Sequence, residues 1–192
     1  CNTSPWSTTR VPVVLLDDTW SSGLRTNQNL PTSSAWWSST NISLTAAPGA
    51  MTLTVGGSSV QAMTYFTPDS NSPPVELNIG DTLSATFKFT FNGVPPNGSS
   101  SQGFRVGLFN FADSTLNPKR LSGDNFGGNS QGNGVPGYAL FGKMYGTLSD
   151  TTPIDIRKRT NLSSTALLGT SGDWTSMFKD DLNTGAFPGF AN

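Results

Sequence analysis

The sequence predicts an all-β protein built as an antiparallel two-sheet β-sandwich. Residues 81–92 alternate strictly, with Leu83, Ala85, Phe87, Phe89 and Phe91 on one parity and Ser84, Thr86, Lys88, Thr90 and Asn92 on the other. Successive side chains of a strand point to opposite sides, so this pattern reads as one buried face and one wet face; a helix would scatter the phenylalanines around its circumference. The composition agrees. The chain holds 21 Gly and 13 Pro among 192 residues, and Ser, Thr and Asn fill much of the rest. Such a chain is poor in helix formers and rich in turn formers. About seven short apolar runs, separated by turn residues, complete the pattern of a sandwich.

Taken in order, residues 1–10 read as an extended lead-in and 11–192 as a single domain, within the usual range of about 100–200 residues. Val11 to Leu16 is a strand candidate, with Pro12 confined to its start or to an edge. Met51 to Val55 alternates with period two, as does Val60 to Phe66, so the pair reads as a hairpin around Gly56-Gly57-Ser58-Ser59. Residues 81–92 follow. Then Gly103 to Phe111 is expected to place Phe104, Val106 and Leu108 on one side and Arg105, Gly107, Phe109 and Phe111 on the other. Residues 112–135 form a long Gly/Asn-rich loop, of the kind that is often functional. Tyr138 to Tyr145 and Ile154 to Thr160 are further strands, Ser163 to Leu168 is one more candidate, and a short helix is expected near Trp174 to Asp181.

Several function classes are excluded or disfavoured. Net charge is −1, so there is no overall basic surplus to neutralise a nucleic-acid backbone. Nothing approaches the roughly 18 consecutive apolar residues of a membrane-spanning helix. Cys1 is the single cysteine, which rules out an internal disulfide and a multi-cysteine metal site. It marks a processing boundary, or it is the lipidated first residue of a bacterial lipoprotein. There is no histidine, and Glu76 is the one glutamate. That removes Ser-His and Cys-His pairs and leaves few ways to set two carboxylates across a glycosidic bond.

A resemblance enters with the run from Leu16 to Trp37, Leu-Asp-Asp-Thr-Trp-Ser-Ser-Gly-Leu-Arg-Thr-Asn-Gln-Asn-Leu-Pro-Thr-Ser-Ser-Ala-Trp-Trp, followed by Gly103-Phe-Arg-Val-Gly-Leu-Phe109, Gly137-Tyr-Ala-Leu140 and Ile156-Arg-Lys-Arg159. Together these resemble an extracellular module of large secreted bacterial proteins, with the concanavalin A-like (lectin/glucanase) jelly-roll architecture. The resemblance covers most of residues 11–170 and implies secretion or a place on the cell surface, a two-sheet sandwich and association with a glycan. It supplies no catalytic residues. Modules of this type continue with further long strands, whereas residues after Leu168 offer only Gly, Asp, Asn and scattered aromatics. Three readings follow: the tail pairs irregularly, the chain is part of a longer polypeptide, or a partner protein donates a strand.

Sugar binding needs aromatic faces for pyranose rings and planar polar groups for hydroxyls. Trp37, Tyr65 and Tyr145, together with Trp20 and Trp36, are the aromatic candidates; Asn27, Gln28, Arg105, Arg157 and Arg159, with Asn110, are the polar ones. Each has an alternative role, core packing for the aromatics and stem packing for the arginines. Asp17 and Asp124, in loops rich in Asp and Asn, are candidate calcium ligands, against ordinary turn chemistry. The expected function is a noncatalytic carbohydrate-binding module requiring no cofactor. Its alternatives are a structural or adhesive cell-surface or filament protein assembling by strand exchange, and a polysaccharide lyase using Tyr138 or Tyr145 with an arginine.

Overall fold

The computed structural model describes residues 12–32, 34–57, 60–68, 73, 75–93, 103–111, 120–126, 132–143, 154–168 and 171–179. Within them the chain is all-β, and every strand pair is antiparallel. No helix of the described residues is long and apolar enough to cross a membrane. Eight strands form: β1 (Trp37–Ser38), β2 (Ile42–Ala47), β3 (Ala50–Val55), β4 (Ala62–Met63), β5 (Gly103–Phe109), β6 (Gly137–Lys143), β7 (Ile154–Arg159) and β8 (Trp174–Lys179). They make a β1-β4 pair, a β2-β3 pair and a four-stranded sheet in the order β5-β6-β7-β8.

The β2-β3 hairpin corrects one expectation. β3 does not pair with residues 60–66 around the double glycine. It pairs with β2, in a register that runs from Ile42↔Val55 to Ala47↔Ala50. Pro48 and Gly49 make the reversal. Proline presets φ for the first turn position, and Gly49 takes φ +86, which costs a residue without Cβ nothing. This two-residue connection closes a shorter loop than the Gly-Gly-Ser-Ser route. Residues 60–66 contribute only β4, which folds back onto β1.

The four-stranded sheet is a meander with two unlike faces. Opposite residues of an antiparallel pair share a face. The register Arg105↔Phe141, Ala139↔Arg157 and Arg159↔Trp174 therefore gathers these six positions on the first face. Ala139, Phe141 and Trp174 are buried there, packed with Phe109 and Leu168. Phe109 meets Trp174 edge-on at 5.9 Å between ring centroids, and Phe141 meets it at 5.4 Å. The Phe109 ring fits because its neighbours are glycines. A Cβ on Gly107 or Gly137 would lie 2.6 Å from a Phe109 ring carbon. The second face carries Phe104, Leu108, Tyr138, Leu140, Ile156 and Phe178. It is wetter: Tyr138 is 52% exposed and Phe178 59%.

The expected helix near Trp174 is a strand. A 3-10 turn, Ser171–Asp173, precedes it, and the Asp173 carbonyl accepts the backbone N–H groups of Thr160 and Asn161. That clamp reverses the chain, and β8 leaves with Trp174 and Ser176 turned to the first face. Between Ile156 and Arg157 the β7-β8 register shifts by one residue, leaving Met177 without an opposite number. The sheet thus gains a fourth strand where the sequence was expected to run out. Ser163 to Leu168, expected as a strand, is instead a turn-rich cover, with Leu167 fully buried.

Two other expected strands form no ladder. Among the described residues, 81–92 have no strand or bridge partner, and Phe87, Phe89 and Phe91 are 49%, 49% and 36% exposed. The alternation survives only as clustering on one side. Phe89 and Phe91 contact each other at 4.9 Å and reach Phe104 at 4.7 and 5.4 Å. In residues 12–16, Val13 and Val14 are exposed, and pairing begins only at the isolated bridge Asp17↔Leu30.

Candidate functional site

The first face of the large sheet gathers the candidate arginines around one ring. Arg105 on β5 lies opposite Phe141 on β6, and Arg157 on β7 lies opposite Ala139. Both guanidinium carbons sit near the Phe141 ring, at 4.3 Å for Arg105 and 4.7 Å for Arg157, within cation–π range. The strands fix this row, since neighbouring strands are about 4.8 Å apart and both arginine stems lie along an apolar surface. Asp155, buried beside Arg157, holds it in place. Arg157 Nε donates to Asp155 Oδ2 at 2.7 Å, and Ser176 Oγ donates to Asp155 Oδ1 at 2.6 Å. Arg157 Nη1 also donates to the Ser171 carbonyl at 3.3 Å, and Arg105 Nη1 donates to the Leu168 carbonyl. Burial, and secondly the like charge of Arg157, hold the Arg105 guanidinium below its ordinary pKa. Chemically this is a pair of planar, charged donors lying over a buried aromatic ring.

Arg159 shares the face but does a different job. It is 2% exposed, and its Nη groups donate to the carbonyls of Gly132, Val135, Ser164 and Ala166. It ties the 132–135 loop and the 160–168 cover to the sheet, and it is spent on that work. Tyr65 is buried as well. Its hydroxyl accepts the Leu121 N–H at 2.9 Å, Arg120 stacks 4.2 Å from its ring, and Phe111 meets it edge-on. Burial raises its pKa. Gln28 is buried and donates to Thr64 Oγ1 at 2.6 Å. Trp37 sits half-buried on β1, opposite Met63, and Asn27 is exposed. These four do not join the arginine row through any contact of the described residues. Tyr145 lies outside the described residues. Tyr138 stands on the second face, opposite Leu108 and Lys158, so it cannot act with Arg105 or Arg157.

The Leu16 to Trp37 run folds into a self-bonded knot. Asp18 accepts the Trp36 indole N–H at 2.9 Å and the Trp20 backbone N–H at 2.9 Å. The Trp20 and Trp36 rings lie 6.1 Å apart, tilted at 47°. Arg25 donates to the Trp36 carbonyl and forms a two-pronged ion pair with Asp124. Asp124 also accepts the Ser38 N–H at 2.9 Å. The Arg25 bonds are the main cause holding the Asp124 carboxyl down at about 2. Both Asp124 oxygens therefore face an arginine, and Asp17 is exposed at its bridge to Leu30. No group of three or more metal-ligating side chains forms among the described residues.

Residue types in the sequence pointed to Arg105 and Arg157 but not to Phe141, Asp155 or Ser176. Those three become neighbours only through strand register, which no local pattern encodes. The parity of Gly-Phe-Arg-Val-Gly-Leu-Phe in β5 was the one available signal, since it sets Arg105 beside Gly107 and Phe109 on the core-facing side. No family model, curated protein or solved structure matches this chain.

Proposed function

We propose that this chain is a noncatalytic carbohydrate-binding module of a secreted bacterial protein, with the jelly-roll arrangement its motifs resemble. One observation carries the reading: Arg105 and Arg157 flank the Phe141 ring on one face of a four-stranded sheet. A sheet face offering planar donors suits sugars, whose rings present rims of hydroxyls. The noncatalytic part rests on the side-chain types. The chain has no histidine, Glu76 is exposed, and Tyr138 is turned away from the arginines. No cofactor is called for. Calcium, if held, falls to Asp17 rather than Asp124, which Arg25 already occupies. A panel of soluble and insoluble glycans in pull-down and calorimetry tests the reading. Binding to at least one is expected, and binding to none removes it.

A second reading has its own observation. Among the described residues, 81–92 have no ladder partner, and Phe87, Phe89 and Phe91 are exposed. Such a segment is a template for strand addition, so a cell-surface protein assembling by strand exchange fits it. Light scattering across a concentration series distinguishes the two, because a strictly monomeric chain is incompatible with the second.

A further inference from the structure

The segment 81–92 is set off by two glycines in the left-handed region, Gly80 at φ +94 and Gly93 at φ +90. Residues 84–92 are exposed throughout, and the main chain of 82–92 makes no hydrogen bond with another described residue. Phe87, Phe89 and Phe91 together leave roughly 200–300 Å² of aromatic surface in water, taking about 150–250 Å² for each whole side chain. Ring contacts with Phe104 carry this patch on to β5. Unpaired main chain beside apolar surface is a template for pairing with another strand. The pattern of the segment is also complementary to itself. Set antiparallel to a second copy about a two-fold axis at Phe87, Leu83 opposes Phe91, Ala85 opposes Phe89, and Phe87 opposes its own counterpart. On the other parity Ser84 opposes Thr90, and Lys88 opposes Thr86. All five apolar positions then meet apolar ones, and the lysine meets a hydroxyl. An axis at Lys88 sets two lysines face to face, and one at Thr86 sets Phe91 against Asp81. A half-step between residues sets apolar against polar along the whole length.

We propose that residues 81–92 are a homodimer interface, pairing antiparallel with the same segment of a second copy about Phe87. The inference rests on the strand-assembly reading and names both the partner and the register. A ladder of this length exchanges about ten main-chain hydrogen bonds, as many as a standard interface carries. Cross-strand contact of the phenylalanines adds apolar burial to them.

The test uses the full chain in light scattering from about 1 to about 300 μM, the range in which a modest interface associates. A monomer giving way to a dimer, and to nothing larger, is expected, because a two-fold pairing closes on itself. Thr86→Lys should weaken the dimer about threefold to tenfold, since it sets lysines opposite each other at two places, and Thr86→Glu should strengthen it by a similar factor. Thr86 and Lys88 are both exposed, so these changes fall outside the core. Disulfides read the register, in chains carrying Cys1→Ser. Mixing Thr86→Cys with Lys88→Cys chains, or Ser84→Cys with Thr90→Cys chains, should yield mixed disulfide dimers. Mixing Ser84→Cys with Lys88→Cys chains should not, because directly opposite Cα atoms lie about 4.5–5.5 Å apart and diagonal ones about 7–8 Å. A dimer that forms neither expected disulfide or ignores the Thr86 substitutions, or particles that grow past two copies, would overturn the inference and leave strand assembly standing. A chain monomeric throughout the series would overturn both.

Discussion

Arginine does three separate jobs in this molecule. Arg159 is structural: a buried guanidinium serving four carbonyls is an internal brace. Replacing it with methionine keeps much of the stem but strands those carbonyls, and hydrogen bonds to charged groups are worth about 1.5–3 kcal/mol each. Arg159→Met is therefore expected to cost about 3 kcal/mol or more, read as a lower urea midpoint at unchanged slope. Arg25 is an electrostatic anchor for Asp124, whose pKa is lowered from 3.8 to about 2. A depressed carboxylate pKa stabilises the fold above the unfolded value and is lost as pH falls through the folded one. The contribution of Asp124 is thus full above about pH 4 and disappears toward pH 2. At neutral pH Asp124→Asn should destabilise by about 1 kcal/mol, allowing for solvent screening at a partly exposed pair. The gap between the stability curves of parent and variant should close across that acid window. Arg105 and Arg157 do the third job, lying over the Phe141 ring on the first face of the large sheet.

At the scale of elements, the sequence disclosed what lies within one strand and hid what lies between strands. The parity of β5 is as read, with Phe104, Val106 and Leu108 on one face and Arg105, Gly107 and Phe109 on the other. β6 and β7 fall where their apolar runs place them. β3 exists as expected, but its partner depends on a comparison between two turns, and Pro48-Gly49 prevails because it closes in two residues. β8 was hidden because Trp174-Thr175-Ser176-Met177-Phe178-Lys179 breaks period two at Met177, and a broken alternation resembles a helix start. Residues 81–92 are the reverse case. Their alternation is the cleanest in the chain, yet period two specifies a face and not a ladder, which needs a neighbour. The arginine row was half legible: its residue types were visible and its assembly was not. The glycines around Phe109 give a direct check on the packing. Gly137→Ala would set a Cβ against the Phe109 ring and 2.7 Å from the Leu108 carbonyl. It should cost about 1–3 kcal/mol, the usual range for overpacking, and Phe109→Leu in the same chain should recover part of that loss in thermal melts.

Over the whole molecule, the large sheet divides chemistry between its sides, arginines and a buried aromatic core on the first and more exposed aliphatic and aromatic carbon on the second. A strand that slips by one residue exchanges those sides, so the two faces stay distinct only while each strand keeps its parity. The extra residue at Met177 is where that condition is met in an unusual way. On β8, Ser176 and Lys179 belong to the same face although they are three apart, because Met177 opposes nothing. A gene that dropped the codon for Met177 would encode a shorter β8 in which Phe178 still meets Ile156 and Lys179 still meets Asp155. Met177 is 61% exposed, so little buried contact goes with it. Its deletion should leave the melting temperature equal or higher, whereas removal of Leu140, in the unbulged β6, should abolish cooperative melting. Length change, normally ruinous inside a strand, is tolerated at this one position, and related chains are expected to differ in length there while keeping the arginine row.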